Sequence, residues 1–391
     1  MNRLTALLLN VGHALDHLFL LIFATAVAAI AKDFGFQRWE DLMPYTAGAF
    51  VMFGIGSIPA GRLGDLWGRR RMMLVFYFGI GLSSLTVAFT QAPWQMAVAL
   101  TVLGLFSSIY HPVGIPLLVQ GSKTPGMTIG INGLAGNMGI ALAALSTGFW
   151  VQFFGWRMAF VAPALLSLGC GYMFWRHAPT ESAPPARKAV SHVHLPKHLA
   201  QRTVVVMIGS AIASSLLFNF TTNGNAQLLA ERLDGLVSEP AMLGVLLALV
   251  YAIASFAQVV VGRLLDRVPI KPLLFGILAA QAVVFFLAAQ TTGWLWYGAA
   301  IVYMISVFAA IPFNDLMVVR YIDDSMRSRV SGFRIAVAFG ISSLAVYMLG
   351  PLVKEQGFTS LMWGLSIIAA AGACVVIGLP GEEQMRAARQ H

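Results

Sequence analysis

Charge is what this 391-residue sequence has least of: 10% of its residues are Asp, Glu, Lys or Arg, against about 25% in an ordinary soluble domain. A soluble chain of this length forms roughly two to three domains, and 16 acidic with 25 basic side chains could not cover their surface. A soluble enzyme is thereby excluded, and a lipid bilayer must serve as the solvent. Cysteine is nearly absent too. Cys170 and Cys374 both lie in apolar runs, so there is no disulfide framework and no Cys-based metal site. The sequence has no G-x-x-x-x-G-K-[ST] and no G-x-G-x-x-G after a strand, which excludes a nucleotide or dinucleotide cofactor bound through those motifs. No cofactor of any kind is called for, and any work done must draw on an ion or solute gradient.

What fills the sequence is apolar: 58% of residues are hydrophobic and the mean hydropathy is +0.77. A hydrocarbon core about 30 Å thick takes roughly 20 apolar residues per helix. Runs of that kind lie near 5–30, 43–61, 72–90, 94–119, 127–152, 157–175, 203–227, 241–262, 272–290, 293–318, 329–352 and 358–379. The fold class expected is an all-α integral membrane protein with twelve transmembrane helices. A β-barrel is excluded because the runs are continuous and do not alternate. The first run, interrupted by His13, Asp16 and His17, reads as an uncleaved helix and not as a signal peptide.

With both termini placed in the cytoplasm, only Lys32, Arg38, Arg157, Arg232 and Lys354 of the 25 basic residues fall on the outer side. The positive-inside rule then sets the orientation and accounts for the pI near 9.8 without nucleic acid as a partner. One long connection, rich in Pro, Ala, Ser and His, runs from Arg176 to Arg202. It divides the chain into an N-terminal bundle at 1–175, a cytoplasmic linker at 176–202 and a C-terminal bundle at 203–391. The halves are similar: Gly61-Arg62-Leu63-Gly64-Asp65 recurs as Gly262-Arg263-Leu264-Leu265-Asp266 at an offset of 201 residues. Two pseudo-symmetric six-helix bundles place a binding site between the repeats near the bilayer midplane.

Residues 61–71, Gly-Arg-Leu-Gly-Asp-Leu-Trp-Gly-Arg-Arg-Arg, resemble the G-x-L-x-D-x-x-G-R-[KR]-[KR] loop signature of the major facilitator superfamily of transporters. Glycine permits the turn and close helix approach, and Asp65 can pair with the arginines. The resemblance implies alternating access, with a gating latch at Gly61, Asp65, Gly68, Arg69, Arg70 and, in the weaker copy, Asp266. Tyr110-His111-Pro112, the His and acid of the first segment, and Gly136-Asn137-Met138-Gly139 resemble the fosmidomycin-resistance efflux branch. The drug-proton antiporter signature expects a Gly-Pro pair in the fifth segment, and Gly136 is followed by Asn137 and Met138.

Well inside a span the only acid is Asp16, and an ionisable group at that depth defaults to a function. His13, Asp16 and His17 are spaced three and four apart, so they share one helix face. At 1.5 Å per residue, His13 lies about 14 Å and His111 about 12 Å from the cytoplasmic end of its helix, so the two are level. The resemblance implies that both helices line the central cavity. Three readings of Asp16, His13, His17 and His111 stay open: proton coupling, a transition-metal or metal-chelate site, and a structural polar network. Pro112 and Pro116 should loosen the fourth segment beside His111. Candidate substrate contacts are Tyr110, Asn137, Asn219, Asn223, Gln258, Asn314 and Asp315. His177, His192, His194 and His198 form an irregular tract in the linker. The expected partners are a small-molecule substrate, protons and the lipid bilayer. The expectation is a monomeric, multi-pass, proton-coupled transporter of a bacterial-type inner membrane, exporting a small polar or amphipathic molecule. Metal or metal-chelate transport through the same cluster is the alternative.

Overall fold

The computed structural model describes residues 2–120, 122, 124–180, 197–265, 267–321, 324–381 and 384, without the side chains at 125, 126, 197, 198, 200, 314, 315, 318–321, 324–336 and 339. Among these residues every regular element is helical. The α-helices are α1 (Arg3–Asp33), α2 (Ala47–Trp67), α3 (Arg69–Ala88), α4 (Pro93–Ser107), α5 (Ile115–Val119), α6 (Pro125–Phe154) and α7 (Trp156–His177), then α8 (Lys197–Arg232), α9 (Pro240–Ser255), α10 (Ala257–Leu265), α11 (Ile270–Ala288), α12 (Gly293–Tyr321) and α13 (Asp324–Ile377). A π-helical turn, Tyr110–Gly114, lies between α4 and α5. Asn2 caps α1 by accepting from the Thr5 amide at 2.7 Å.

Eleven stretches among the described residues are long and apolar enough to cross a bilayer, so the chain is a multi-pass membrane protein. The first ten fall on the first ten expected segments. The last two expected segments, 329–352 and 358–379, both overlap one continuous stretch, Gly340–Ile377. Gly357 interrupts it with φ +76° and ψ 167°. The count of continuous stretches is therefore eleven where the sequence predicts twelve, because the separating loop is reduced to one glycine. Gly68, at φ +95°, makes the same kind of one-residue break between α2 and α3.

The chain packs as two compact units. The first holds Met1–Pro184, Phe220–Ala252 and Ser342–Glu355. In it α1 lies along α6 and α7, α3 along α7 and α4, and α2 along α4. The later segments join these helices through short contacts. A Cβ at Gly148 would stand 2.4 Å from the Pro240 carbonyl oxygen, Gln152 Oε1 accepts from the Ala241 amide at 2.8 Å, and Lys354 Nζ donates to Asp41 Oδ1 at 2.5 Å. Close backbone approach through small residues is how membrane helices gain van der Waals contact when lipid offers no hydrophobic drive. The second unit holds Pro185–Asn219, Ile253–Ile341 and Gln356–His391. There α11 and α10 pack on α12, Phe285 stacks on Tyr303 at 4.9 Å, and Gln281 Nε2 donates to the Ser306 carbonyl at 2.7 Å.

Basic residues that sequence places on the outer side have acids beside them: Arg38 with Glu40 at 2.6 Å, Arg157 with Asp33 at 2.7 Å, Lys354 with Asp41 at 2.5 Å and Arg232 with Glu231 at 3.8 Å. Half-exposed pairs of this kind contribute about 0–1 kcal/mol each, whereas forcing a side chain against fixed backbone costs about 1–3 kcal/mol or more. Gly148→Val should therefore lower the thermal stability of the purified protein clearly more than Asp41→Asn. A melting series in detergent checks the ranking, and the opposite order would refute the packing account.

Candidate functional site

The centre of the first unit is built on α1, whose His13, Asp16 and His17 stand one above another on the face turned toward the π-helical turn and α6. Pro112 in the turn and Pro116 just after it in α5 each lack an N–H, so regular α-helical bonding cannot run unbroken through this stretch. The widened π turn lets two consecutive side chains meet the same ring. Tyr110 stacks on His13 with ring centroids 4.7 Å apart, and His111 meets His13 edge-on at 4.9 Å. The expected equal depth of His13 and His111 is thus realised as contact.

Asp16 is 0% exposed. The Ser107 hydroxyl donates to its Oδ1, and His111 Nε2 lies 3.5 Å from its Oδ2. His13 Nδ1 sits 2.7 Å from the main-chain carbonyl oxygen of Asn132. A carbonyl only accepts, so Nδ1 carries the proton and Nε2 of neutral His13 presents its lone pair. That Nε2 lies 3.1 Å from His17 Nε2. The Asn132 side chain donates to Asn10 Oδ1 at 2.9 Å and to Tyr110 Oη at 2.8 Å, while Tyr110 Oη donates to the Leu9 carbonyl at 2.7 Å. The result is a connected network in which three imidazoles offer ligand atoms within 4.8 Å of one another. It can hold or pass a proton among Asp16, His111, His13 and His17, and it can ligate a cation.

What allows the network is the approach of α6 to α1. A Cβ at Gly136 would stand 2.7 Å from the His13 ring, and one at Gly139 would stand 2.1 Å from the Ala14 carbonyl oxygen. The glycine spacing on this segment predicts close packing, and the structure uses it to seat His13.

Sequence reasoning passes over Asn132, Asn10 and Ser107. Ser107 had a signal, since it precedes His111 by four residues and so shares its face. Asn132 is a polar residue inside a span, but nothing in the sequence says that its main-chain carbonyl orients His13. Tyr110 was expected to touch substrate. Its side chain is fully buried, its hydroxyl is bonded on both sides and its ring backs that of His13.

Within the first unit, neither Asn137 nor Asn223 is among the groups that bond or stack in this cluster. Asn137 is buried, with Nδ2 lacking a hydrogen-bond partner among the described residues. Asn223 is buried on α8 within the first unit, whereas Asn219, which donates to its own helix at the Ser215 carbonyl 2.8 Å away, belongs to the second. Gln258 also belongs to the second unit, on α10. Asp266, His192 and His194 lie outside the described residues, as do the side chains of Asn314, Asp315 and His198.

At the α2–α3 turn, Asp65 is 65% exposed and 3.9 Å from Arg69. Arg69 Nη1 donates to Gln120 Oε1 at 3.5 Å. Arg70 reaches further, donating to the Trp175 carbonyl at 2.6 Å and the Ala178 carbonyl at 2.9 Å, which satisfies the C-terminal end of α7. Arg70 thus pins this turn to the end of α7 while Arg69 reaches Gln120, and Gly61 packs without crowding near Pro112.

Residues 9–346 match the family model described as Major Facilitator Superfamily. The gallate transporter of Pseudomonas putida is 26% identical over 38% of this chain and 33% of its own length. The tetracenomycin C resistance and export protein of Streptomyces glaucescens is 30% identical over 46% of this chain and 34% of its own. The chain thus spans about a third of these curated relatives. Among solved structures, a D-xylose-proton symporter superposes with a TM-score of 0.76 at 15% identity, covering 97% of this chain and 98% of that one.

If Gly136 exists to seat His13, Gly136→Ala should destabilise the protein by about 1–3 kcal/mol. In a His13→Ala background the same substitution should cost less than half as much, because the ring it collides with is gone. A thermal double-mutant cycle in detergent reads the coupling. Equal costs in both backgrounds would show that the glycine serves something other than His13.

Proposed function

The chain belongs to the Major Facilitator Superfamily and is a transporter, not an enzyme; from that premise we propose that it is a proton-coupled secondary transporter moving a small polar or amphipathic molecule outward across a bacterial-type inner membrane. In this reading it has twelve spans with both termini in the cytoplasm. The halves 1–175 and 203–391, joined by 176–202, alternate access to a central site. The observation that carries the reading is the placement of Asp16: an acid with no exposed surface, bonded by the Ser107 hydroxyl and faced by His111 Nε2 at 3.5 Å.

An ionised group at membrane depth costs several kcal/mol by most estimates, and taking up a proton removes the charge. Transfer between Asp16 and His111 needs only a small change in a 3.5 Å separation. The His111 side chain is 37% exposed while His13 and Asp16 are buried, so protons enter and leave there. His13 and His17 extend the proton-holding set along α1. A conformational change that moves the π turn relative to α1 alters this contact and so loads or releases the proton. Substrate binding competes with the proton or depends on it. Export is favoured by the named role of the tetracenomycin C relative, and the Arg69–Asp65 and Arg70–α7 contacts act as the latch that breaks and reforms.

Asp16→Asn keeps the size of the side chain and removes the titrating group. It should fold normally yet abolish proton-driven transport. The check compares deletion, overexpressing and Asp16→Asn overexpressing strains against a panel of antibiotics, antimetabolites and metals, followed by proton-flux measurements in vesicles with the compound found. Full proton-coupled activity in Asp16→Asn would overturn the reading. Sensitivity in place of resistance on overexpression would reverse the direction.

A further inference from the structure

We infer that His13, His17 and His111 form a binding site for one divalent transition-metal ion of the zinc class, as an occupant distinct from the transported molecule. The inference rests on the placement of three imidazoles and stands apart from proton coupling. Their ligand atoms fall within 4.8 Å of one another. Two imidazole nitrogens on a tetrahedral zinc with Zn–N bonds of about 2.0–2.1 Å are separated by roughly 3.3 Å, and His13 Nε2 and His17 Nε2 already stand 3.1 Å apart. An ion inserted beside them requires little closure of the site.

The surroundings fit as well as the spacing. Metal-bound histidines donate their other ring N–H to a carbonyl or carboxylate, which fixes the tautomer and the ring plane. His13 does so to the Asn132 carbonyl at 2.7 Å, and Tyr110 stacked on its face holds the ring in place. In the ion-free state His17 Nε2–H donates to His13 Nε2; when a metal takes that space, His17 moves its proton to Nδ1 and ligates through Nε2. A fourth ligand is at hand in Asp16 Oδ2, which is buried, accepts no hydrogen bond among the described residues and lies 3.5 Å from His111 Nε2. His111, whose side chain is 37% exposed, gives the ion its way in. Three imidazoles with one carboxylate suit Zn²⁺, Ni²⁺ or Co²⁺ and not Mg²⁺ or Ca²⁺, which take oxygen ligands. A bound ion would tie α1 to the π turn and occupy the space through which the two exchange contacts.

The test is titration of the full-length purified protein in nanodiscs with Zn²⁺ alone, and with Co²⁺ for its visible ligand-field bands. We expect one ion per chain, tetrahedral Co²⁺ bands, no response to Mg²⁺, and binding at least about tenfold weaker in His17→Ala and in His111→Ala. A variant with His177, His192, His194 and His198 all changed to Ala should bind as the parent does. Loss of binding in that linker variant with retention in His17→Ala would overturn the inference, as would no stoichiometric binding to a protein whose melting curve shows it folded. Because no transport is measured, the result is independent of whether Asp16→Asn abolishes proton-driven activity.

Discussion

Everything at the centre of the first unit depends on how closely α6 can approach α1. In lipid, helices gain nothing by hiding apolar surface from one another, so contact must come from backbones that touch. Gly139 faces the Ala14 carbonyl and Gly136 faces the His13 ring, each at a distance no Cβ would permit. That approach brings the Asn132 carbonyl to His13 Nδ1. It thereby fixes which nitrogen of His13 is free and, through it, the relation of His13 to His17. Polar chemistry at membrane depth is here a consequence of small residues.

A buried polar network is only tolerable when nearly every member has a partner. Asn132 meets this requirement by serving three residues at once: His13 through its main chain, and Asn10 and Tyr110 through its amide. Asp16 Oδ2, beside His111, is buried and without a hydrogen bond among the described residues. A buried acid oxygen left unbonded next to a partly open histidine leaves room for something to bind there. A proton and a transition-metal ion are two species whose chemistry these side chains share, and in the proposed readings both act through the contact between α1 and the π turn.

The helix breaks reflect the same economy of local chemistry. Pro112, with Pro116 following in α5, breaks the regular helix at a π turn that aims Tyr110 and His111 at one ring. Gly68 divides α2 from α3 in a single residue and so lets Arg70 reach the end of α7. The signature loop is thus a tie between neighbouring helices, and it is this tie that the proposed latch would break and reform.

Composition alone requires a membrane protein, because so few charges cannot cover a soluble surface, and continuous apolar runs locate the spans without reference to packing. The motif at 61–71 points to the family, and the three-and-four spacing of His13, Asp16 and His17 together with the depth of His111 predicts their meeting, since helical rise and rotation are local properties. Tertiary structure decided the rest. The Asn132 carbonyl and the Ser107 hydroxyl enter the site through contacts between segments distant in sequence. Tyr110 backs the His13 ring because its hydroxyl is held between α1 and α6. Asn219 and Gln258, plausible by residue type, were placed in the second unit. A side chain's identity and its face on a helix are written locally, but its partners depend on which backbone comes near enough to touch it.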